Sequence, residues 1–355
     1  MLIKLAERRL LPDAVIRTGI RRILEQRLHR EREATPTDAI SRCERMREQF
    51  AAGPIAEETD AARYQHYEAP TELFLEMLGP RLKYSGCLWG PGVNDLPAAE
   101  EAMLALTCER AGIADGQRIL DLGCGWGSLS LWMAERYPNA DIVAASNSRT
   151  QHRFVMEQAL MRGLLNVRHV VLNVADFAKE EVGVTAAKDL GADWRFDRIV
   201  SVEMFEHMRN VDRLLQHLAG WLHSEGRLFV HIFCHRDLFY RFVDEGQDDW
   251  MARHFFTGGA MPPLDLFEQV HGPFELETRW EIGGEHYART CRAWLDNLDA
   301  ARDVVLQRFQ QDLAPAVARQ QLQRWRMFVM ACEELFAYDA GRQWLVSHHL
   351  LAPTQ

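Results

Sequence analysis

Apolar residues follow two rhythms along the chain. Up to about residue 50 they recur every three or four positions, as at Ile16, Ile20, Ile23 and Leu24, among many Arg and Glu, which predicts helices. Gly53-Pro54 and the acidic run Glu57-Glu58-Thr59-Asp60 then mark a boundary near residue 60. From about 118 the rhythm changes to short, continuous apolar runs separated by helical stretches. Strands are predicted over Arg118–Leu122, Ala140–Ala145, Val167–Val174, Phe196–Val202 and Gly226–Phe233. Helices are predicted from Gly127 to about Arg136, over Arg149–Arg162 and over Val211–His223. That alternation predicts βαβ units, and so an α/β fold with a doubly wound, mostly parallel sheet.

Residues 236–270 break the rhythm with the aromatic-rich stretch Asp248-Asp-Trp-Met-Ala-Arg-His-Phe-Phe-Thr-Gly-Gly259 and with Met261-Pro-Pro263. An insertion of that length after a sheet strand is expected to be a lid or substrate-binding cap. Helical patterns over Thr290–Gln311 and Gln321–Tyr338 follow, with a short strand near Gln343–His349. The expected organisation is a helical extension over 1–60 and a catalytic domain over 61–355, the cap lying at about 236–270. The N-terminal helices either pack on their own domain or offer a basic amphipathic face to a membrane surface or partner.

Composition narrows the class. The 355 residues, 47% of them hydrophobic, can bury a sizeable core. The formal charge of −10 argues against nucleic acid as the partner. Seven scattered cysteines with no CxxC pair make a disulfide framework unlikely to be the scaffold, and a cytoplasmic location is expected. No run reaches the roughly 18–20 apolar residues of a membrane span, and the N-terminus is too charged for a signal-peptide core. Homodimer formation is left open.

The chemistry concentrates at two strand ends. Asp121-Leu-Gly123-Cys-Gly125-Trp-Gly127 joins the first strand to its helix, where an open α/β sheet binds its ligand. Its glycines let backbone N–H groups approach that ligand. The spacing is GxGxG, not the GxGxxG of dinucleotide binders, and the second strand ends in Ser146-Asn147-Ser148 without the ribose-binding acid of a nicotinamide enzyme. At the end of the fourth strand Glu203, Glu206 and His207 fall within five residues. An imidazole there can take a proton while the carboxylates hold and attract a cationic group. Asp248 and Asp249 add local negative charge. His231 and His235 on the fifth strand offer metal-ligand chemistry, but a structural, hydrogen-bonded histidine is the expected reading, and no metal is expected.

DLGCGWG is very similar to the first motif of class I S-adenosylmethionine-dependent methyltransferases, which implies a Rossmann-like sheet and that cofactor. VEMFEHM, the stretch Leu228–His235, DDWMARHFFTGG and His286-Tyr287-Ala-Arg-Thr290 together resemble the coclaurine N-methyltransferase group, within the wider cyclopropane-fatty-acyl-phospholipid synthase family. The resemblance runs from about Tyr64 to the C-terminus. It implies cofactor contacts from Tyr67, Tyr84, Ser85, Gly86, Asp121, Gly123, Gly125, Gly127, Asn147, Gln151, Asn173 and Val174. The segments Tyr64–Tyr67 and Lys83–Gly86 would form a flap. Glu203, Glu206 and His207 match the group's catalytic and substrate-holding residues, and His231, Trp250, Phe255, Phe256 and Tyr287 are candidate substrate contacts. The implied reaction is N-methylation of a small, alkaloid-like aromatic amine.

Cyclopropane synthases resemble the chain at Glu206, His231 and Tyr287, where they hold bicarbonate. They typically carry Gly where Glu203 stands, and a Cys directly after the Tyr-Ser/Thr pair, where this chain has Gly86 with Cys87 one residue later. These departures favour an amine over an alkene. Lipid modification and non-catalytic cofactor binding are the competing readings.

Overall fold

The computed structural model describes all residues except 1, 36–40, 42–44, 46–47, 49–52, 57–68, 175–194, 245, 247–248, 270–271 and 355. The strands are β1 (Arg118–Leu122), β2 (Asp141–Ser146), β3 (Val167–Val171), β4 (Phe196–Val202), β5 (Leu222–His235), β6 (Tyr240–Arg241), β7 (Ala260–Met261), β8 (Phe274–Ile282) and β9 (Trp344–Pro353). The early helices are α1 (Leu2–Glu7), α2 (Asp13–Ala34), α3 (Thr71–Met77), α4 (Leu96–Ala111), α5 (Ser128–Arg136), α6 (Arg149–Met161) and α7 (Val211–Gly220). The later ones are α8 (Trp250–His254), α9 (Leu266–Gln269), α10 (Gly284–Ala300), α11 (Arg302–Asp312) and α12 (Pro315–Ala337).

The main sheet runs β3-β2-β1-β4-β5-β9-β8, parallel from β3 to β5 and antiparallel at β9 and β8. Its strands read as continuous apolar runs because both faces are covered. Ile119, Ile142, Ala144 and Phe229 pack under α4, α5 and α6. Their neighbours Leu120, Val143, Ala145 and Leu228 pack under α7 on the opposite face. Strand order reverses between β1 and β4, so the carboxyl ends of those two strands open the crevice in which such sheets bind ligands.

A third core lies beyond β5. Helices α10 and α12 pack with α3, α8 and the β6–β7 ribbon, and the same core takes in Ala6, Ile16, Leu24 and Leu28 of α1 and α2. Charge pairs hold α2 to α12: Arg17 bridges Glu333 and Glu334 at 2.7 Å each, and Arg326 reaches Asp13 at 2.8 Å. The apolar stripe of the described N-terminal helices therefore faces α12. No described helix is long and apolar enough to cross a membrane. The acidic boundary Glu57–Asp60 lies outside the described residues.

Several boundaries differ from the sequence expectation for local reasons. The helix expected to reach His223 stops at Gly220, and Leu222 already pairs with Phe196 before an irregular register resumes at Arg198 and Arg227. The third strand ends at Val171, so Asn173 and Val174 leave the sheet. Strand β8 was not expected, although Phe274-Glu-Leu-Glu-Thr-Arg-Trp-Glu-Ile282 nearly alternates; a bulge between Leu276 and Thr278 breaks the period. The helix expected over 290–311 is two helices, with Ala301 (φ −89°, ψ 11°) between them. The first begins at Gly284, where a Cβ would stand 2.1 Å from the Trp344 carbonyl.

Buried imidazoles give the fold a pH dependence. Burial pushes His169 down to about 4, and His235 and His349 down to about 3. In the unfolded chain they titrate near 6.5. Between these values the unfolded state binds more protons, so stability is full above about pH 6.5 and falls as pH drops toward 4. The melting temperature is expected to fall steeply from pH 7 to pH 5, and His349→Gln should flatten that slope. An unchanged slope in calorimetry would remove His349 from the account.

Candidate active site

After β1 the chain turns sharply: the N–H groups of Gly123 and Cys124 both donate to the Ala145 carbonyl at 2.9 Å. Gly123, Gly125 and Gly127 have φ of 87°, 55° and 78°, a region that side chains disfavour. Gly125 is the open point of the loop, where a Cβ would meet nothing within 4 Å; at Gly127 it would collide with Val155 at 2.8 Å. Gly125 therefore leaves room for a ligand, while Gly127 lets α5 pack on α6. A cavity over the loop is lined by Asp121, Gly123, Gly125, Trp126, Ser128 and Gln151, with Tyr84 and Ser85 across from them. A second cavity shares Gly123, Gly125 and Gln151 and adds Asn147, Asn173 and Val174.

Three buried donors on these walls lack a protein partner: Trp126 Nε1, Ser128 Oγ and Gln151 Nε2. Asp121 accepts from Ser130 Oγ at 2.5 Å, and burial pushes its carboxyl up to about 6. Orphaned donors, an open glycine and an acid suit a ligand that carries acceptor oxygens and positive charge together. S-adenosylmethionine, with its carboxylate, ribose hydroxyls, ammonium and sulfonium, has that donor and acceptor set. Tyr67 and the rest of Tyr64–Tyr67 lie outside the described residues. Gly86 is not on the cavity wall: a Cβ there would press on the Tyr287 ring at 3.1 Å, and its N–H points to Glu203.

Glu203 stands at the carboxyl end of β4, and its side chain gathers donors from three elements. Its Oε1 accepts from Gly86 N–H at 2.9 Å and from His231 Nε2–H at 3.2 Å; its Oε2 accepts from the Tyr287 hydroxyl at 2.6 Å. Burial pushes the carboxyl upward, and the Lys83 ammonium, the Tyr287 hydroxyl and the Gly86 N–H oppose it. Lys83 is itself buried, donating to Ser85 Oγ and to the Gly86 carbonyl. The Glu203 backbone lies at φ 49°, where a Cβ is unfavourable by roughly 1–2 kcal/mol. A glycine at this position would meet no such strain.

His207 lines both cavities, between the loop and the substrate side, with its ring 4.7 Å from Phe256. Burial pushes it down to about 4, against the opposing pull of Glu203, so it is neutral at physiological pH. Glu206 lines neither cavity: its Oε1 accepts from Phe233 N–H at 2.7 Å, and burial and the neighbouring Glu203 hold its carboxyl well above the usual range. His231 lies behind Glu203, and His235 accepts from the backbone N–H groups of Asp237 and Leu238 at 3.0 Å. Cys87 is fully buried, pushed up to about 12 by burial, with its thiol toward the Ser85 carbonyl.

The structure sorts the expected aromatic contacts. Phe256 and Tyr287 line the substrate side. Trp250 and Phe255 do not: the indole donates to Glu7 at 2.9 Å, and Phe255 stacks on Phe328 at 4.4 Å in the cap core. Asp249 accepts from Arg27 at 3.2 Å, away from the cavity, and Asp248 lies outside the described residues. Sequence reasoning missed Phe233, Phe242, Met251, Trp294 and Phe336 on the cavity wall. Phe233 carries a signal, since it shares a strand face with His231, and Phe242 and Met251 lie in the 236–270 insertion expected to meet substrate; Trp294 and Phe336 come from distant helices and carry none. The strain at residue 203 is testable by substitution. Glu203→Gly is expected to be more stable than Glu203→Ala by about 1 kcal/mol, with both far less active than the parent; equal stability in urea denaturation would refute the left-handed backbone.

The mycolic acid cyclopropane synthetase family model matches residues 56–343. The (S)-coclaurine N-methyltransferase of Thalictrum flavum subsp. glaucum is 33% identical over 98% of this chain and 94% of its own length. The crystal structure of a coclaurine N-methyltransferase bound to N-methylheliamine and S-adenosylhomocysteine superposes with a TM-score of 0.89 at 31% identity, covering 99% of this chain and 98% of that one. The cyclopropane-fatty-acyl-phospholipid synthase of Escherichia coli (strain K12) is 30% identical, over 67% of this chain and 56% of that protein. With the sheet order, the glycine loop and near full-length likeness in agreement, the chain belongs to the mycolic acid cyclopropane synthetase family and is an S-adenosylmethionine-dependent methyltransferase.

Proposed function

We propose that the enzyme transfers a methyl group to the nitrogen of a small aromatic, alkaloid-like amine. The observation that carries this reading is the Glu203 carboxylate, placed between the cofactor loop and an aromatic wall. That wall is built from Phe233, Phe242, Phe256 and Phe336, with Phe242 edge-on to Phe256 at 4.8 Å and Phe336 stacked on Tyr287 at 4.2 Å. An apolar box with one carboxylate favours a ring-bearing base over a fatty chain, because the acid attracts an ammonium and the ring faces add to that attraction. The relatives named for N-methylation match nearly the whole chain, whereas the cyclopropane synthase match is shorter.

S-adenosylmethionine supplies an electrophilic methyl on a sulfonium. The residues of the chain supply the rest. Glu203 accepts an N–H of the amine and fixes the direction of its lone pair. His207, neutral because it is buried, accepts a hydrogen bond from the amine and orients it, and the amine attacks as the free base, its methylated nitrogen carrying the remaining proton away as an ammonium. The aromatic walls exclude water and orient the ring. Glu206 does not touch the cavity; its carboxyl accepts from Phe233 N–H and braces the β5 backbone there. The acceptor is thus a small molecule held by the cap and the sheet together, with no role assigned to nucleic acid.

The direct test is a mass-spectrometric screen with labelled S-adenosylmethionine, starting with benzylisoquinolines and aryl-ethylamines. One label and the mass of one methylene per transfer are expected on nitrogen. Glu203→Ala and His207→Ala should each lower kcat/KM by about 10²–10⁴ while S-adenosylhomocysteine binding by calorimetry stays near that of the parent. Cyclopropanated chains from unsaturated phospholipid vesicles, with every amine left unmodified, would overturn the reading.

A further inference from the structure

A line of hydrogen bonds runs from Glu203 through the sheet to its far side. His231 of β5 and His348 of β9 are paired residues on adjacent strands, both fully buried, with rings 4.7 Å apart. His348 Nε2 lies 3.0 Å from His231 Nδ1, and the Arg110 guanidinium, near the end of α4, lies 3.0 Å from His348 Nδ1. A guanidinium only donates. His348 Nδ1 must therefore be bare, its proton sits on Nε2, and that N–H donates to His231. His231 Nδ1 is then bare in turn, and its Nε2–H points at Glu203 Oε1, 3.2 Å away. Burial pushes both imidazoles well below their ordinary range, so neither carries charge.

We propose that Arg110 and His348 are positioning residues for the amine-methylation reaction: the cation at the far side of the sheet fixes both tautomers, so that His231 always presents an N–H to Glu203. The inference rests on the amine reading of Glu203. The direction of the chain excludes its use as a proton exit, since it ends on a group that accepts nothing. A pair of apolar side chains would fill the space between the strands without the desolvation cost of two imidazoles. Retaining the histidines makes sense where a directed N–H is needed at the other end.

The groups facing Glu203 are Lys83, the Gly86 N–H, Tyr287, His207, Glu206 and His231, with the Cys87, Cys291 and Cys332 thiols, so the chain supplies one of several influences. Facing His348 are Arg110, His231, His349 and Lys83, with the Phe229 ring edge-on at 5.0 Å. Facing Arg110 are Glu109 and the Trp280 ring, 5.0 Å from the guanidinium carbon, beside a surface cavity with Arg198, Arg227 and Glu277. Arg110 contacts neither cofactor cavity.

Two measurements test the proposal. In ¹⁵N spectra of the resting enzyme, both His231 and His348 should be Nε2-protonated and neutral at pH 7; an Nδ1–H on either overturns the chain, and this result needs no substrate. In the pH profile of kcat/KM for an accepted amine, Arg110→Leu should move the acidic limb upward by about one pH unit, a roughly tenfold loss on that limb. Arg110→Lys, which keeps a cationic donor, should return it toward the parent. A purely structural role would lower the melting temperature and leave the limb in place, and that outcome also overturns the proposal. If the parent methylates no amine but its tautomers are as stated, the amine reading falls and the directed chain stands.

Discussion

Burying a carboxylate among aromatic rings is costly unless donors surround it, and that constraint organises this molecule. Glu203 is held by an N–H from the segment before α4, an imidazole from β5 and a hydroxyl from α10. One side chain therefore ties together a loop, a strand of the sheet and a helix. The position that makes this possible is the left-handed residue at the end of β4, which aims the carboxylate back across the crevice instead of along the strand.

The same crevice fixes the other half of the site. Because strand order reverses between β1 and β4, Gly123 and Glu203 face one another across the switch point, and Met204 approaches within 3.0 Å of where a Gly123 Cβ would be. A side chain at Gly123 would press on Met204, the residue next to Glu203. Donors for the cofactor and the acceptor for the amine are therefore set by a single piece of backbone geometry, and His207 stands where the two cavities meet.

Much of this was legible in sequence. The parallel strands showed as apolar runs, and the glycine loop and the Glu203–His207 cluster were legible from residue type at strand ends. The antiparallel edge was less so: β8 hides its alternation behind a bulge, and the extent of β9 depends on partners on both sides. Glu203, Glu206 and His207 are close in sequence, yet the 3₁₀ turn at Phe205–His207 sends Glu206 inward to the β5 backbone and leaves His207 on the cavity wall. Spacing alone does not distinguish those directions. Trp250 and Phe255 were drawn to the site by their neighbourhood, but the core of α12 captures them. The wall residues Trp294 and Phe336 reach the cavity only through tertiary packing.

The comparison with alkene-modifying relatives then reduces to what fills one volume. The Glu203 carboxylate is covalently attached and already takes three hydrogen bonds. It is fixed in place, so the acceptor capacity left over suits a group with N–H bonds. An alkene has none, and gains nothing from such a neighbour. The backbone conformation at that residue suits glycine, and the side chain persists because the donors around it outweigh about 1–2 kcal/mol of strain.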